Sequence, residues 1–297
     1  MTSFRPPQAQ ARFLLRKKAK HGQPRHGLKP GAEKFISSVG SERTYRGCTE
    51  RFLIWALDNK HPTSKISASI AEDFLREKAK SCTQKTVDQY RQSLVVAFGL
   101  KLAYIRSECP QLLTPRAYRN SQILHLVKSA SPQLSLSIRI AFAAGLRAIE
   151  LDTIGRRDDF SEDKRDWLDE RFIGREDEIS YVVIGKGGLR RVVKIPKEIA
   201  DELEQHRLPE IMEKRQREII YKKRYSLIGG QNFSQEFSRL SFRLFGWSTG
   251  AHGLRHAFAQ QRVTVLQKMG FTWDYSLKIA SQELGHFSTT NTLAYMR

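Results

Sequence analysis

Apolar residues recur at helical spacing over most of this chain. In residues 41–58, Tyr45, Phe52, Trp55 and Ala56 fall near i, i+3, i+4 and i+7, with Ser41 placed as an N-cap. Residues 67–79 repeat the pattern with Ile70, Phe74 and Leu75 behind Ser67 or Ser69. Residues 83–103 carry the longest stripe: Val87, Tyr90, Leu94, Val95, Phe98 and Leu102. Lys85, Gln89, Arg91 and Gln92 lie on its other face, either solvated or set against a ligand. These three segments predict a small all-helical domain over 33–110. Before it, residues 1–32 are basic and rich in Pro, Gly and Gln, with almost no apolar period. They read as a flexible arm in which Arg16, Lys17 and Lys18 either contact phosphates or only aid solubility.

Cys109-Pro110 to Thr114-Pro115 reads as a linker, and a second domain is expected over 115–297. Helices are expected at 121–128 and 133–144, where Gly145 punctuates the chain before a further helix over Arg147–Ile154. Residues 155–177 are charged and turn-rich, with Trp167 and Phe172 as anchors. The β-branched runs Ile179–Ile184 and Leu189–Ile195 flank Gly185-Lys186-Gly187-Gly188, which is the pattern of a hairpin. Helix is expected again over 197–224, broken near Pro209, then over 233–245, 252–268 and 275–284. Gly285 stops the last of these, and Ser288 caps a final short helix carrying Tyr295. The fold class is mainly α with a small β-sheet or hairpin in an α+β second domain.

The charge changes this picture most. The chain has 297 residues and a formal net charge of +20, from 51 Lys+Arg against 31 Asp+Glu. Such an excess spread along a whole chain favours a polyanionic partner, with nucleic acid the first candidate. No apolar run reaches the roughly 18 residues of a membrane span, and no signal-peptide core precedes Arg16-Lys17-Lys18. A cytoplasmic, nucleoid-associated protein is therefore expected. Cys48, Cys82 and Cys109 share no metal-ligand spacing, so they read as reduced, mostly buried thiols.

The candidate chemistry sits in short motifs. Arg147 lies in Gly145-Leu146-Arg147-Ala148-Ile149-Glu150, and Lys186 lies at the hairpin tip. His252 and Arg255 are three apart at a helix start, so they share one face. His286 follows Gly285, and Tyr295 comes nine residues later. A phenol with an ordinary pKa of about 10 is a poor nucleophile at neutral pH. It becomes useful when the electrophile is held in line and preorganised cations meet its charge. Arginine suits that task, because its planar fork grips two phosphate oxygens and stays charged.

With these residues in order, the chain from about 33 to 297 resembles the tyrosine recombinase (phage integrase) family. The resemblance implies that Arg147 and Arg255 bind the scissile phosphate. It implies that Lys186 protonates the leaving 5′ oxygen and that His252 assists proton transfer with the nucleophile. His286 would donate a hydrogen bond to the phosphate, Glu150 would support the site from behind, and Tyr295 would attack. It also implies a helical core-binding domain and a catalytic domain closing as a C-shaped clamp on duplex DNA. Lys85, Gln89, Arg91 and Gln92 are candidate DNA contacts on the first. No metal or cofactor is implied, because the 3′-phosphotyrosyl bond conserves the energy of the broken one. The implied partners are double-stranded DNA, further copies of the chain as a tetramer on two sites, and accessory DNA-bending or directionality proteins. The implied role is integration, excision or resolution of a mobile or phage-like element.

Two intervals are longer than the family's pattern: 157–177, and the stretch holding Phe271, Trp273 and Tyr275. Each reads as a DNA or subunit contact or as surface elaboration. Tyr275 is a rival nucleophile on the wrong side of His286. The sequence ends at Arg297, two residues past Tyr295, so the family's trailing helix is expected to be lacking. Two other functions share these residues: a type IB topoisomerase-like relaxation of DNA, and DNA binding on the same fold without catalysis.

Overall fold

The computed structural model describes residues 5–21, 23, 35–110, 113–216 and 219–297. The chain divides into two compact units that meet in sequence at Leu113 and Thr114.

The first unit is helical: α1 (Pro7–Arg16), α2 (Val39–Asp58), α3 (Ala68–Ala79) and α4 (Gln84–Phe98). Phe52, Leu53, Phe74, Leu75, Val87 and Leu94 form its core. Phe74 meets Phe52 and Tyr90 edge-on, each with ring centroids 5.2 Å apart. Ser67 caps α3 by accepting the Ile70 N–H, as the pattern predicts. The cap of α2 is Ser38 rather than Ser41, because its hydroxyl accepts the Ser41 N–H at 3.1 Å. The third helix stops at Phe98 rather than 103, since Gly99 turns left-handed with φ 71°. Leu100, Leu102 and Ile105 continue without helix and pack on the same core.

The expected flexible arm needs correction at its start. Residues 7–16 form α1, with Pro7 at the first helical position and Ala11 and Leu15 fully buried. Ala11, Leu14 and Leu15 stand at i, i+3 and i+4, enough for one apolar stripe against α2. Arg16 and Lys17 are exposed at the helix end. Residues 1–4, 22 and 24–32 of the arm lie outside the described residues.

The second unit starts with α5 (Asn120–Ser129) and α6 (Pro132–Ala143). A short 3-10 turn, Ala148–Asp152, stands where a full helix was expected after Arg147. A three-stranded antiparallel sheet follows, in the order β1 (Gly155–Arg156), β2 (Ile179–Ile184), β3 (Arg190–Ile195). Next come α7 (Lys197–Gln205), the two-stranded sheet of β4 (Arg207–Gln216) and β5 (Ile219–Tyr225), and α8 (Gly230–Phe245). The unit ends with α9 (His252–Lys268), α10 (Trp273–Glu283) and α11 (Thr289–Leu293). Leu136, Ile138 and Ile140 of α6 pack with β2, β3 and α8 around one buried core.

The helix expected over 197–224 is therefore half wrong. Its Glu, Lys, Arg and Met favour helix, yet tertiary anchors select strands. Lys214 and Lys223 both reach the buried Asp152, at 2.8 and 3.6 Å. Arg207 pairs with Asp159 at 2.9 Å, and the Tyr225 hydroxyl donates to Glu204 at 2.9 Å. Pro209 sits near the start of β4.

The charged stretch 157–177 has no helix or strand, but it is fastened at several points. Gln282 accepts the Leu168 N–H at 2.6 Å and donates to the Asp166 carbonyl at 3.0 Å. The buried Glu283 holds Arg175 at 2.9 Å and Arg262 at 2.7 Å, and Arg262 also donates to the Ile173 carbonyl. Trp167 lies 4.9 Å from Phe287 and stacks under Arg171. This stretch braces the end of α10, the residues just ahead of His286. It is more than surface elaboration. The stretch near 271 is plainer: Phe271 stacks on Tyr275, and Trp273 is exposed at the start of α10. Among the described residues no helix is long and apolar enough to cross a membrane.

Candidate active site

The site is assembled around the buried carboxylate of Glu150. It accepts the Arg147 backbone N–H at 2.9 Å, the Arg147 guanidinium at 2.8 Å and Arg191 at 2.7 Å. Burial alone would raise its pKa, but Arg191, Arg255 and Arg147 together hold it down to about 2. Glu150 is thus an anion that fixes two arginines and neutralises part of a cluster of three.

Arg255 is fully buried on the first turn of α9. Its guanidinium donates to the Gly145 and Leu284 carbonyls, joining the segment before Arg147 to the one before His286. Burial and the charge of Arg147 lower its pKa to about 9, so it is still a cation at neutral pH. Arg147 and Arg255 converge on one atom: the Nε2 of His286 is 3.1 Å from one and 3.2 Å from the other. Two guanidinium forks aimed at one point are a geometry that suits the oxygens of an anion.

His286 reaches this point through a left-handed glycine. Gly285 has φ 71°, and a Cβ there would lie 2.7 Å from the Arg191 side chain. The other ring nitrogen, Nδ1, is 2.9 Å from the hydroxyl of the buried Thr292. Burial, then the charges of Arg255 and Arg147, push the His286 pKa down to about 3.

Tyr295 does not lie within the last helix, as expected, but just beyond it, with its N–H on the Thr292 carbonyl at 2.8 Å. Its ring is buried among three histidines, with centroids 5.2 Å from His252, 4.5 Å from His256 and 5.5 Å from His286. Arg255 stands 5.7 Å over the same ring. Gln260 of α9 donates to the carbonyls of Tyr295 and Arg297, at 2.8 and 2.9 Å, and so ties down the chain on both sides of Met296.

His252 shares the face of Arg255 and is exposed along one edge. Desolvation of its inner side, followed by Arg255 and His256, lowers its pKa to about 3. His256 is buried beneath the Tyr295 ring, and burial with Arg116 and Arg297 lowers it to about 4. All three histidines are neutral at physiological pH. A pH dependence of stability follows. The unfolded chain binds protons on these histidines below about pH 6.5, while the folded one resists until about pH 4 or lower. Stability is expected to fall as pH drops from about 6.5 to 5, before ordinary carboxylates titrate. A thermal midpoint that stays flat over that window would contradict the neutral cluster.

Lys186 begins the short 3-10 turn Lys186–Gly188 between β2 and β3. Its side chain lies outside what the structure describes. Its neighbour Gly185 is placed: a Cβ there would stand 3.0 Å from Glu150 Oε1 and 3.8 Å from Arg147 Nη1. The turn therefore backs onto the arginine cluster. Tyr275 is set apart, against Phe271 and Lys278.

Of the candidate DNA contacts in the first unit, Lys85, Gln89 and Gln92 line one groove with Ser41, Arg43 and Thr44. Arg91 does not join them; it reaches the Leu102 carbonyl and Asp88.

Sequence reasoning passed over Arg191, Gln260 and Thr292. Arg191 had a signal. It is in phase with Val193 and Ile195 on a strand, so it faces the interior.

No protein-family model matches the sequence, and no curated protein matches it. Solved structures do. The XerH site-specific recombinase bound to palindromic difH substrate, a post-cleavage complex, is 17% identical with a TM-score of 0.57. That match covers 98% of this chain and 93% of the other. A lambda integrase dimer bound to a COC′ core site is 16% identical with a TM-score of 0.54, over 88% of this chain and 73% of that one. A lambda integrase tetramer bound to a Holliday junction is 15% identical with a TM-score of 0.52, over 92% and 73%. The chain has the tyrosine-recombinase fold.

Proposed function

We propose that this protein is a site-specific DNA recombinase that cuts and rejoins DNA through a 3′-phosphotyrosyl intermediate. The observation that carries the reading is the convergence of Arg147 and Arg255 on one acceptor beside the ring of Tyr295. A phosphate oxygen placed there would meet two guanidiniums at hydrogen-bond distance, and their charge would stabilise the pentavalent transition state. The Tyr295 hydroxyl attacks phosphorus and the bond to the 5′ oxygen breaks. Lys186 gives that oxygen a proton, and neutral His252 takes the one released by the phenol. The weak basicity of His252 rises when the phosphate offsets the charge of Arg255. A 5′ hydroxyl from a partner strand reverses the step.

Duplex DNA is the substrate in this reading, met by the 33–110 domain through its Lys85 groove and by the 115–297 domain. The matched recombinases include a DNA-bound dimer and a tetramer on a Holliday junction. By analogy the chain would act as a tetramer on two sites, on a mobile or phage-like element. The test is a pool of nicked duplexes from which a cut strand diffuses away, scored for covalent protein–DNA adducts in denaturing gels. Adducts are expected on a subset that shares a sequence. A pool that yields none sinks the enzymatic reading and leaves DNA binding alone. Relaxation of supercoils without exchange between duplexes would instead favour topoisomerase-like action.

Two further results are expected. With a net charge of +20, affinity for duplex DNA should fall about a thousandfold or more between 50 and 200 mM salt. A flat titration would contradict a backbone-gripping surface. Gln260→Ala should slow adduct formation about a hundredfold while leaving DNA affinity unchanged, because a tethered nucleophile depends on sub-ångström placement. An unchanged cleavage rate would show that the tether does not position Tyr295.

A further inference from the structure

The two arginines proposed to seat the phosphate are already engaged by a neutral acceptor. Guanidinium groups can only donate, so the Nε2 facing Arg147 and Arg255 must present a lone pair. Neutral imidazole then carries its proton on Nδ1, and the Thr292 hydroxyl accepts it at 2.9 Å. This is the tautomer opposite to the one that could donate from Nε2 to a phosphate. A phosphate oxygen on the same two forks would face that lone pair directly.

We propose that His286 competes internally for the phosphate seat, that Thr292 holds it in the competing tautomer, and that anion binding is coupled to the gain of one proton on His286. The inference rests on the proposed phosphate-binding role of Arg147 and Arg255. The proton comes from solvent and bonds to Nε2; no other bond changes. Once protonated, Nε2–H donates to the anion while Nδ1–H stays on Thr292. The groups around the ring agree. Arg147 before the 3-10 turn, Arg255 on α9 and Arg191 on β3 oppose its protonation, and Glu150 favours it only in part. His252 and His256 on α9 are neutral, and Tyr295 stacks on the ring. An added anion tips that balance, because it offsets two of the three opposing charges.

Thr292 is a positioning residue in this scheme. Its hydroxyl accepts the Nδ1–H that the two guanidiniums impose, and its carbonyl takes the Tyr295 N–H, so one residue links the seat to the nucleophile.

The test uses sulfate as the anion, since its charge is constant from pH 5 to 8, and the full chain labelled with nitrogen-15 in histidine. Without sulfate, His286 should show a protonated Nδ1 and a bare Nε2. With saturating sulfate both nitrogens should be protonated. Sulfate affinity should fall about tenfold per pH unit between the free value near 3 and the raised value in the complex. Thr292→Val should leave the ring with mixed tautomers and a shallower pH profile, and Thr292→Ser should restore both. Sulfate binding that Arg147→Ala leaves intact would overturn the anion seat, and the proposed function with it. Binding that Arg147→Ala abolishes, with flat pH dependence or a mere switch to neutral Nε2–H, would overturn the coupling alone.

Discussion

Tyr295→Phe is expected to abolish the covalent adduct on every duplex that the unchanged protein cuts. The substitution removes one oxygen and leaves the ring packed among His252, His256 and His286. The backbone tethers from Gln260 and Thr292 do not involve the side chain, so they persist. Fold and DNA affinity should therefore match the unchanged protein, which a thermal melt and a gel-shift titration would check. The clean loss of chemistry without loss of binding is what distinguishes a nucleophile from a packing residue. Residual adduct at more than about a thousandth of the original rate would mean that another group attacks. Tyr275 would then be the first to test, although it stands against Phe271 and Lys278.

The second large effect is structural. Glu150→Gln should destabilise the protein by about 3–5 kcal/mol, since it removes one partner of a buried ion cluster and leaves the other charges uncompensated. Arg191 is fully buried, and Glu150 is its carboxylate partner at 2.7 Å. The amide nitrogen of glutamine would also point a donor at a guanidinium. Chemical denaturation of the two proteins at pH 7 measures the difference directly. A loss under about 1 kcal/mol would show that the arginines relax into water or onto carbonyls instead. The same carboxylate predicts an acid limb. Its folded pKa of about 2 lies below the ordinary value of 4.5, so its contribution is fully present above about pH 4.5. That contribution is lost as pH falls towards 2.

Much of the site was legible because chemistry and local structure coincide there. His252 and Arg255 are three residues apart on a helix start, so helical geometry alone sets them side by side. His286 follows a glycine that only a left-handed turn explains. The β2–β3 pair declared itself through β-branched runs around glycines. What stayed hidden depends on contacts distant in sequence. Arg191 was passed over because arginine is expected outside, even though alternation with Val193 and Ile195 turned it inward. Gln260 belongs to no motif, and its role exists only because the chain returns after Tyr295 to pass α9. Strands β4 and β5 were misread because helix-favouring residues gave way to anchors on Asp152 and Asp159. The helix α1 was missed because its apolar stripe is only three residues long.

The brace at 157–177 has a consequence for how this chain could change over time. Glu283 and Arg262 are buried and Arg175 is half-buried beside them, and two of the three bonds that Gln282 and Arg262 send outward end on backbone carbonyls at Asp166 and Ile173. Removing the stretch would take Arg175 from Glu283, the Ile173 carbonyl from Arg262 and both backbone partners from Gln282. The stretch is thus fastened to buried groups of the helices around it, and its loss would cost those contacts. Changes in length should be tolerated at its boundaries, on either side of the fastened residues, rather than between Asp166 and Arg175.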